Sequence, residues 1–151
     1  MVEGMDAIVG SLALVITGPL VGVEFAVAAF TNPVFARLPD DGFALARSDG
    51  SRVLGKVMPF WYIASLVLLI AAAIVTWENW FVIAAAVVMV AVVLMTVTLM
   101  VPINNRIGTW SAAGDVSRDD ALRWDRMHWS RVLLLVVLYV LLVLGAVASA
   151  R

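Results

Sequence analysis

Four apolar segments, each long enough to cross a bilayer, constrain this chain more than any other feature of its sequence. They run over about residues 7–30, 59–76, 80–101 and 128–150. A transmembrane helix needs about 20 predominantly apolar residues, and backbone polar groups cannot stay unpaired in lipid, so each segment must be helical. The sequence therefore predicts an all-α integral membrane four-helix bundle that forms a single domain over residues 1–151.

The composition supports a membrane protein and excludes several classes of function. Hydrophobic residues make up 64% of the chain and the mean hydropathy is +1.04, whereas about half of a soluble domain is apolar. The formal net charge of −1 provides no basic surface for nucleic acid. Because the chain has no cysteine and one histidine, disulfides, thiolate chemistry and the usual poly-histidine metal sites are excluded. We expect membrane lipid and an apolar small-molecule substrate as its partners.

The connections between the predicted spans indicate how the bundle is oriented. A short turn near residues 77–80 joins the second and third spans, whereas two long polar connections, about residues 31–58 and 102–127, lie on the same side of the membrane. Nine of the ten basic residues fall in or beside these long connections. Because basic residues favour the cytoplasmic side, we expect both long loops in the cytoplasm, both termini outside, and the protein in the cell membrane.

Local signals in the long connections predict where the helices begin and end. Asn32-Pro33 should end the first helix, because a residue that precedes proline disfavours helical geometry. Residues 42–56 should form a short extra interfacial helix in the first loop. Ser117-x-x-Asp120 resembles a capping box, which would start the fourth helix near Arg118.

Glu24 is the strongest anomaly within an apolar segment. It lies some six to nine residues before the end of the first span, which at 1.5 Å per residue places it roughly 9–13 Å deep. An ionisable group at such depth is costly and indicates a functional site by default. The alternative is a buried carboxyl group that hydrogen-bonds a neighbouring helix for structural reasons only.

The start of the fourth span carries a second group of polar side chains. Trp124, His128 and Arg131 have the i, i+4 and i+7 spacing that places them on one helix face. Histidine can serve as a base or a ligand near neutral pH. The alternatives are a satisfied interfacial histidine and an arginine that extends its charge toward the headgroups. We expect the neighbouring Asp125 to be solvated.

Further polar residues reach the same end of the bundle from the other helices. Asn32 ends the first span, Tyr62 opens the second and Asn104 follows the third. Small-molecule sites usually combine apolar walls with a few polar groups. We therefore predict one cavity in which the catalytic side chains are Glu24, Asn104, His128 and Arg131, and the substrate-binding ones are Asn32, Tyr62 and Trp124.

Several short motifs along the chain resemble those of a known family. They are N-P-V-F, M-P-F-W-Y, V-P-I-N-N-R-I and W-x-x-x-H-W-x-R. In order and spacing, they resemble the DUF1772, or anthrone oxygenase-like, family of small four-helix membrane proteins. The resemblance implies that Asn104, Trp124, His128 and Arg131 match recurring polar positions of that family. It also implies an oxygenase, because some relatives oxidise anthrones to anthraquinones with O2, without an organic cofactor.

A mechanism follows from these expectations. A base removes an acidic methylene proton, and the delocalised carbanion reacts with O2. We expect His128 to be the base, Arg131 and Asn104 to stabilise the oxyanion, and Glu24 to orient His128 or to act as the base itself. The expected cofactor is none, with iron or copper held by Glu24 and His128 as the alternative.

Two other classes of function stay open at this point. A carboxylate in the first span is compatible with a proton-coupled or small-molecule transporter, although the polar residues crowd at one end instead of the midplane. A small apolar chain is also compatible with an accessory or scaffold subunit of a larger membrane complex, or with a homo-oligomer. Enzymatic activity is thus an expectation of the sequence, which a family resemblance alone does not prove.

Overall fold

Four long helices make up the protein in the computed structural model, which describes residues 2–149. Among the described residues there is no strand. All four helices are long and apolar enough to cross a membrane, which confirms the predicted integral membrane four-helix bundle. Helix α2 is Asp40–Val75 and α4 is Arg118–Ser149. Helix α1 consists of Val2–Ala26, a π-helical turn at Val27–Thr31, and a last segment, Asn32–Phe35. Helix α3 has the same three parts, which are Trp80–Met95, a π-helical turn at Thr96–Met100, and Val101–Ile107.

The helices form a ring in which each helix packs against its two neighbours in sequence, with α1 and α4 closing the ring. The centre is filled by apolar side chains without solvent exposure, among them Leu20, Leu69, Met89 and Leu135. The outward faces of the same helices are also apolar. A helix that is apolar all round is suited to lipid instead of water.

Helices α3 and α4 pack tightly near the end of α4. A side chain at Gly145 would meet Val82 at 2.7 Å, so only glycine allows the two backbones to come this near. Asn79, in the tight turn between α2 and α3, donates a hydrogen bond from Nδ2 to the Gly145 carbonyl at 2.8 Å. This half of the bundle is therefore closed by direct packing.

The prediction that Asn32-Pro33 ends the first helix was wrong. The π-helical turn Val27–Thr31 precedes the proline and the helix continues to Phe35. Pro33 falls in the first turn of that last segment, where a missing backbone N–H costs little. Pro102 occupies the same place after the π-helical turn of α3, and that helix continues to Ile107.

The separate interfacial helix predicted over residues 42–56 was also wrong as a distinct element. The segment is helical, but it belongs to α2, which runs without a break from Asp40 to Val75. The buried side chains Phe43, Arg47 and Ser51 continue the face that Tyr62 occupies further along, so packing favours one helix. At 1.5 Å per residue, its 36 residues exceed the roughly 30 Å of a hydrocarbon core.

The start of α4 confirms the capping prediction and fixes the position of the two long connections. The Asp120 backbone N–H donates to Ser117 Oγ at 3.2 Å, and α4 begins at Arg118. The Arg118 guanidinium also donates to Asp40 Oδ1 at 2.6 Å. Both long connections therefore lie together at one end of the bundle, which we call the polar end.

The second long connection is ordered by its own hydrogen bonds. Oδ2 of Asp115 accepts three of them, from the backbone N–H and hydroxyl of Ser111 and from the backbone N–H of Ala112. The hydrogen bond from the Ser111 backbone and the bond from its side chain lower the pKa of the exposed Asp115 carboxyl. The Ala113 N–H donates to Asp41 at the start of α2, so this connection is attached to the first.

Candidate functional site

A cavity of about 460 Å³ lies at the polar end, between α2 and the two π-helical turns. Its size falls within the roughly 300–1,000 Å³ of small-molecule sites. The π-helical turns pack against α4, which leaves the space between them and α2 open. Apolar side chains from three helices form much of the wall, among them Val23, Val27, Leu54, Met58, Val93 and Met100.

All seven residues that the sequence singled out as site residues line this one cavity. Glu24 and Asn32 come from α1, Tyr62 from α2, Asn104 from α3, and Trp124, His128 and Arg131 from α4. The structure thus brings together residues that are more than a hundred positions apart in sequence. Their roles in binding and catalysis stay predictions.

The buried carboxylate of Glu24 is held by two side chains from other helices. Its Oε2 forms an ion pair with Arg131 Nη2 at 2.7 Å, and its Oε1 accepts a hydrogen bond from the Tyr62 hydroxyl at 2.8 Å. Glu24 is 3% exposed and Arg131 is 7% exposed, so the pair is nearly dry. A buried charge persists only when it is paired and hydrogen-bonded, and these two contacts supply both.

The imidazole of His128 has a hydrogen bond at each nitrogen, and the two partners fix its tautomer. Nε2 lies 3.0 Å from the Glu24 backbone carbonyl, which can only accept. Nδ1 lies 2.8 Å from Arg131 Nη2, which can only donate. His128 is therefore neutral with its proton on Nε2, and its one lone pair is already used by Arg131.

The aromatic ring of Trp124 packs against this cluster and also lines the cavity. It stacks on the His128 imidazole with ring centroids 4.7 Å apart and an interplanar angle of 13°. The two residues are one helical turn apart on α4, which places their side chains above one another. The stacking fixes the plane of the imidazole, and with it the positions of both hydrogen bonds.

A π-helical turn borders the cluster on α1. Glu24 lies in the turn just before Val27–Thr31, and its backbone carbonyl accepts the hydrogen bond from His128 Nε2. Thr96 opens the corresponding turn of α3, and its Oγ1 lies 3.5 Å from Arg131 Nη1. π-Helical turns are rare in proteins as a whole, and those that occur are often found at functional sites. Both of them here face the same cavity.

A second buried cluster, which the sequence reasoning missed, is centred on Arg47. Its guanidinium donates from Nη1 to Asn32 Oδ1 at 2.8 Å, and from Nη2 to Asp125 Oδ1 at 2.7 Å and to the Ala121 carbonyl at 3.2 Å. Arg47 is 6% exposed. Asp125, which was expected to be solvated, is the counter-ion of this arginine and keeps 28% of its side chain exposed.

The signal that could have revealed Arg47 was helical periodicity. Arg47, Ser51 and Tyr62 recur at spacings that place them on one face of a continuous helix. The assumption of a separate interfacial helix hid that register. Once α2 is continuous, Arg47 points to the same cavity as Tyr62.

Asn104 lines the cavity but is bonded to α2. Its backbone carbonyl accepts a hydrogen bond from Ser51 Oγ at 2.8 Å, and its side-chain Nδ2 lies 3.4 Å from the Ser51 backbone carbonyl. These bonds join the end of α3 to α2 at the cavity wall. The observed contacts of Asn104 are therefore those of a residue that holds two helices together.

The cavity borders the outer surface of the bundle between α2 and α3. Ile63 and Val97 both line it, yet they expose 58% and 59% of their surface. Val101, one turn after Val97, lines it as well and is 40% exposed. We call this place the lateral window. Since the surrounding surface is apolar, it opens where the helices face lipid.

The proposed metal ligands do not suit a metal in this arrangement. The Arg131 guanidinium lies within 2.8 Å of both the Glu24 carboxylate and Nδ1 of His128, in the place that a bound cation would need. In the part of the chain that the structure describes, no group of three or more His, Cys, Asp or Glu side chains is placed to hold a metal ion. The cluster therefore does not fit iron or copper.

Comparisons with known proteins agree with the resemblance seen in the motifs. A family model described as anthrone oxygenase matches residues 43–141, which covers nearly all of α2, all of α3 and most of α4. Tyr62, Asn104, Trp124, His128 and Arg131 lie within the match. No curated protein and no solved structure matches the chain. Because the family model matches most of the sequence, the chain belongs to the anthrone oxygenase, or DUF1772, family.

Proposed function

We propose that this protein is a membrane oxygenase that oxidises an apolar polycyclic or quinol-like substrate with O2 in the cavity at the polar end. The observation that carries the proposal is a largely apolar cavity with the buried cluster of Glu24, Arg131, His128 and Tyr62 on its wall. An apolar substrate can fill such a space while one ionised group acts on it. Membership of the anthrone oxygenase family supports the same reaction.

The hydrogen bonds favour Glu24 over His128 as the base. A carboxylate has about four acceptor positions, and two of those of Glu24 are used by Tyr62 and Arg131. Its remaining lone pairs can take a proton from a substrate in the cavity. His128 has one lone pair, and Arg131 occupies it. In this proposal His128 positions Arg131 and Glu24, and Glu24 performs the proton transfers.

The reaction balances with O2 as the only co-substrate. For an anthrone, Glu24 removes one proton from the methylene carbon, and the resulting carbanion adds O2 to give a peroxide anion. Arg131 stabilises that anion through its guanidinium, whose Nε has no partner in the structure, and the protonated Glu24 returns its proton to give the hydroperoxide. Glu24 then takes the second proton from the same carbon. The carbonyl forms, the O–O bond breaks and the hydroxide leaves as water with that proton.

The proposal includes a route and an orientation. An apolar substrate dissolves in the bilayer and reaches the cavity through the lateral window between Ile63 and Val97. The excess of basic residues at the polar end favours the cytoplasmic side, so the product is formed near the cytoplasmic face of the cell membrane. No metal or organic cofactor is required, because the carbanion reacts with O2 directly.

The test is oxygen uptake by the purified protein in detergent with anthrone, measured above the spontaneous rate. We expect Glu24→Gln to lower turnover by about 10²–10⁴-fold, the usual contribution of a general base. The matched control is Glu78→Gln, which changes an exposed glutamate in the turn at the opposite end and should leave turnover unchanged. Uptake should also survive a chelator.

Three results would contradict the proposal. Wild-type uptake no faster than the spontaneous reaction would overturn the oxygenase function with anthrones. Normal turnover by Glu24→Gln would overturn the assignment of the base, and a parallel measurement on His128→Ala would then show whether the imidazole takes that role. Loss of activity with a chelator, restored by iron or copper, would overturn the metal-free chemistry.

A further inference from the structure

Three of the buried polar atoms without a partner belong to residues that line the cavity. Among the described residues, the unpartnered buried side-chain atoms include Asn32 Nδ2, Arg47 Nε and Arg131 Nε, and all three residues contribute to the cavity wall. Each of these atoms is an N–H donor and none is an acceptor. Buried donors are nearly always satisfied in a native complex. The missing partners are therefore hydrogen-bond acceptors.

The identity of the Asn32 amide nitrogen is fixed by its neighbour. The guanidinium of Arg47 can only donate, and its Nη1 lies 2.8 Å from the other amide atom of Asn32. That atom must therefore be the oxygen, which leaves Nδ2 with two N–H bonds and no acceptor. Because Asn32 is 7% exposed, bulk solvent does not satisfy them.

The two clusters lie at different levels of the cavity. Asn32 follows Glu24 by eight residues on α1, an axial separation of roughly 12 Å. On α4, Asp125 of the Arg47 cluster likewise precedes Arg131. Trp124 lies between the two clusters, because its ring stacks on His128 and its ring centroid is 5.4 Å from the guanidinium carbon of Arg47. A ring system between the clusters would meet donors at both of its ends.

The charges of both clusters limit what those donors can bind. Arg47 is paired with Asp125 and Arg131 with Glu24, so neither arginine has an uncompensated charge. A carboxylate or phosphate in the cavity would add a buried negative charge without a counter-ion, which is costly. A neutral oxygen, such as a ketone or a ring hydroxyl, accepts hydrogen bonds without that cost.

We propose that Asn32 and Arg47 form a second oxygen-binding subsite, which receives a neutral carbonyl or hydroxyl oxygen across the ring system from Glu24 and Arg131. The inference rests on the proposed function for the presence of a ring system in the cavity. In an anthrone the carbonyl and the reactive methylene lie on opposite sides of the middle ring. With the carbonyl at Asn32 and Arg47, the methylene faces Glu24, and the charge that develops on the carbonyl oxygen meets two N–H donors.

The test compares two apolar ring systems that do not react. 9,10-Anthraquinone has a carbonyl oxygen on each side of its middle ring and anthracene has none. Equilibrium binding of each probe is measured for the detergent-solubilised protein at fixed detergent concentration. Wild type should bind anthraquinone about tenfold or more tightly than anthracene, because only anthraquinone offers acceptors to the buried N–H donors.

The variant Asn32→Asp isolates the donor. Aspartate keeps the oxygen that Arg47 bonds, but it replaces Nδ2 with a second oxygen that repels an acceptor. It should weaken anthraquinone binding about tenfold and leave anthracene binding unchanged. The control is Glu78→Gln, which also exchanges an amide and a carboxylate but at an exposed residue in the turn at the opposite end of the bundle, and it should leave both affinities unchanged.

Failure of this inference can be distinguished from failure of the proposed function. Equal affinity of wild type for the two probes, no binding of either probe, or anthraquinone binding that Asn32→Asp does not change would overturn the subsite. The comparison of the two probes on wild type needs no variant, so it decides even if Asn32→Asp does not fold. The oxygenase function is decided separately by oxygen uptake with anthrone. If the protein does not oxidise anthrone but its binding of anthraquinone depends on Asn32, the oxygenase function is wrong and the subsite is supported.

Discussion

The two halves of the bundle have similar apolar sequences but different packing. In the half with the tight turn, α3 and α4 have regular α-helical hydrogen bonds. Gly145 lies so close to Val82 that no larger side chain would fit at position 145. In the polar half, α1 and α3 each contain a π-helical turn at the level of the cavity. An extra residue in a turn changes the direction of the following face. The cavity therefore coincides with the part of the bundle where the helical backbone is irregular.

Buried ionisable side chains follow the same division. In the polar half, Glu24, Arg131 and His128 bond one another and line the open cavity. In the closed half, the core is formed by apolar side chains such as Leu69 and Leu135. Charged pairs add little to stability compared with apolar packing. Their concentration around an open space is thus the expected pattern for a functional site.

The largest effect on stability should follow from removing one partner of the buried ion pair. Arg131→Met leaves Glu24 without its counter-ion, and breaking a buried pair costs about 3–5 kcal/mol. Unfolding of the detergent-solubilised protein, followed by circular dichroism, measures the loss. Arg126→Met, at an exposed position of the same helix, is the control and should change stability little.

A double variant sharpens that prediction. In Glu24→Gln with Arg131→Met no charge remains unpaired, so part of the lost stability should return. If the double variant is as unstable as the sum of the two single variants, the ion pair is not the source of the loss. The polar half would then depend on packing in the same way as the closed half.

Truncation of a large apolar side chain should distinguish the two halves more directly. Leu135 has no exposure and lies in the packed core, so Leu135→Ala creates a new void and should cost about 2 kcal/mol or more. Met58 lines the existing cavity, so Met58→Ala enlarges a space that is already open and should cost less. The same unfolding measurement compares them. Equal losses would show that the cavity walls are as tightly packed as the core.

The smallest effect concerns the lateral window. Ile63→Trp narrows the opening between α2 and α3 and should raise the KM for anthrone a few-fold with a smaller change in kcat, because the reacting groups stay in place. Val67→Trp is the control, since Val67 is equally exposed on the same helix, one turn further, and does not line the cavity. Equal effects of the two substitutions would indicate that substrate does not enter between these helices.

Much of the site could be predicted from the sequence, because its members are rare residue types in apolar surroundings. A carboxylate inside one span, and a histidine and an arginine at i and i+3 at the start of another, are visible as soon as the spans are drawn. Helix ends at one side of a membrane must lie near one another. The convergence of Glu24, Tyr62 and Arg131 was therefore expected before any contact was known.

The missed features depended on what the backbone does at prolines. Asn32-Pro33 was expected to end the first helix, and the predicted third span stopped just before Pro102, where proline removes a backbone N–H. A π-helical turn before each proline shifts the register and lets the helix continue. Nothing in the local sequence distinguishes that outcome from termination. Arg47 was missed for a different reason, because the separate interfacial helix expected over residues 42–56 hid the continuous register of α2.

Hydropathy and the cost of burying charge act on each segment separately, so the four membrane spans, the family motifs and the side chains that could form a site are readable from the residues in order. The packed bundle sets which atoms these side chains use. It directs the Nδ1 lone pair of His128 toward the Arg131 guanidinium and leaves Glu24 with free acceptor positions. It also brings Arg47 into contact with Asn32 and Asp125. Such choices follow from helix rotation and axial register, which depend on contacts between helices that no single segment contains.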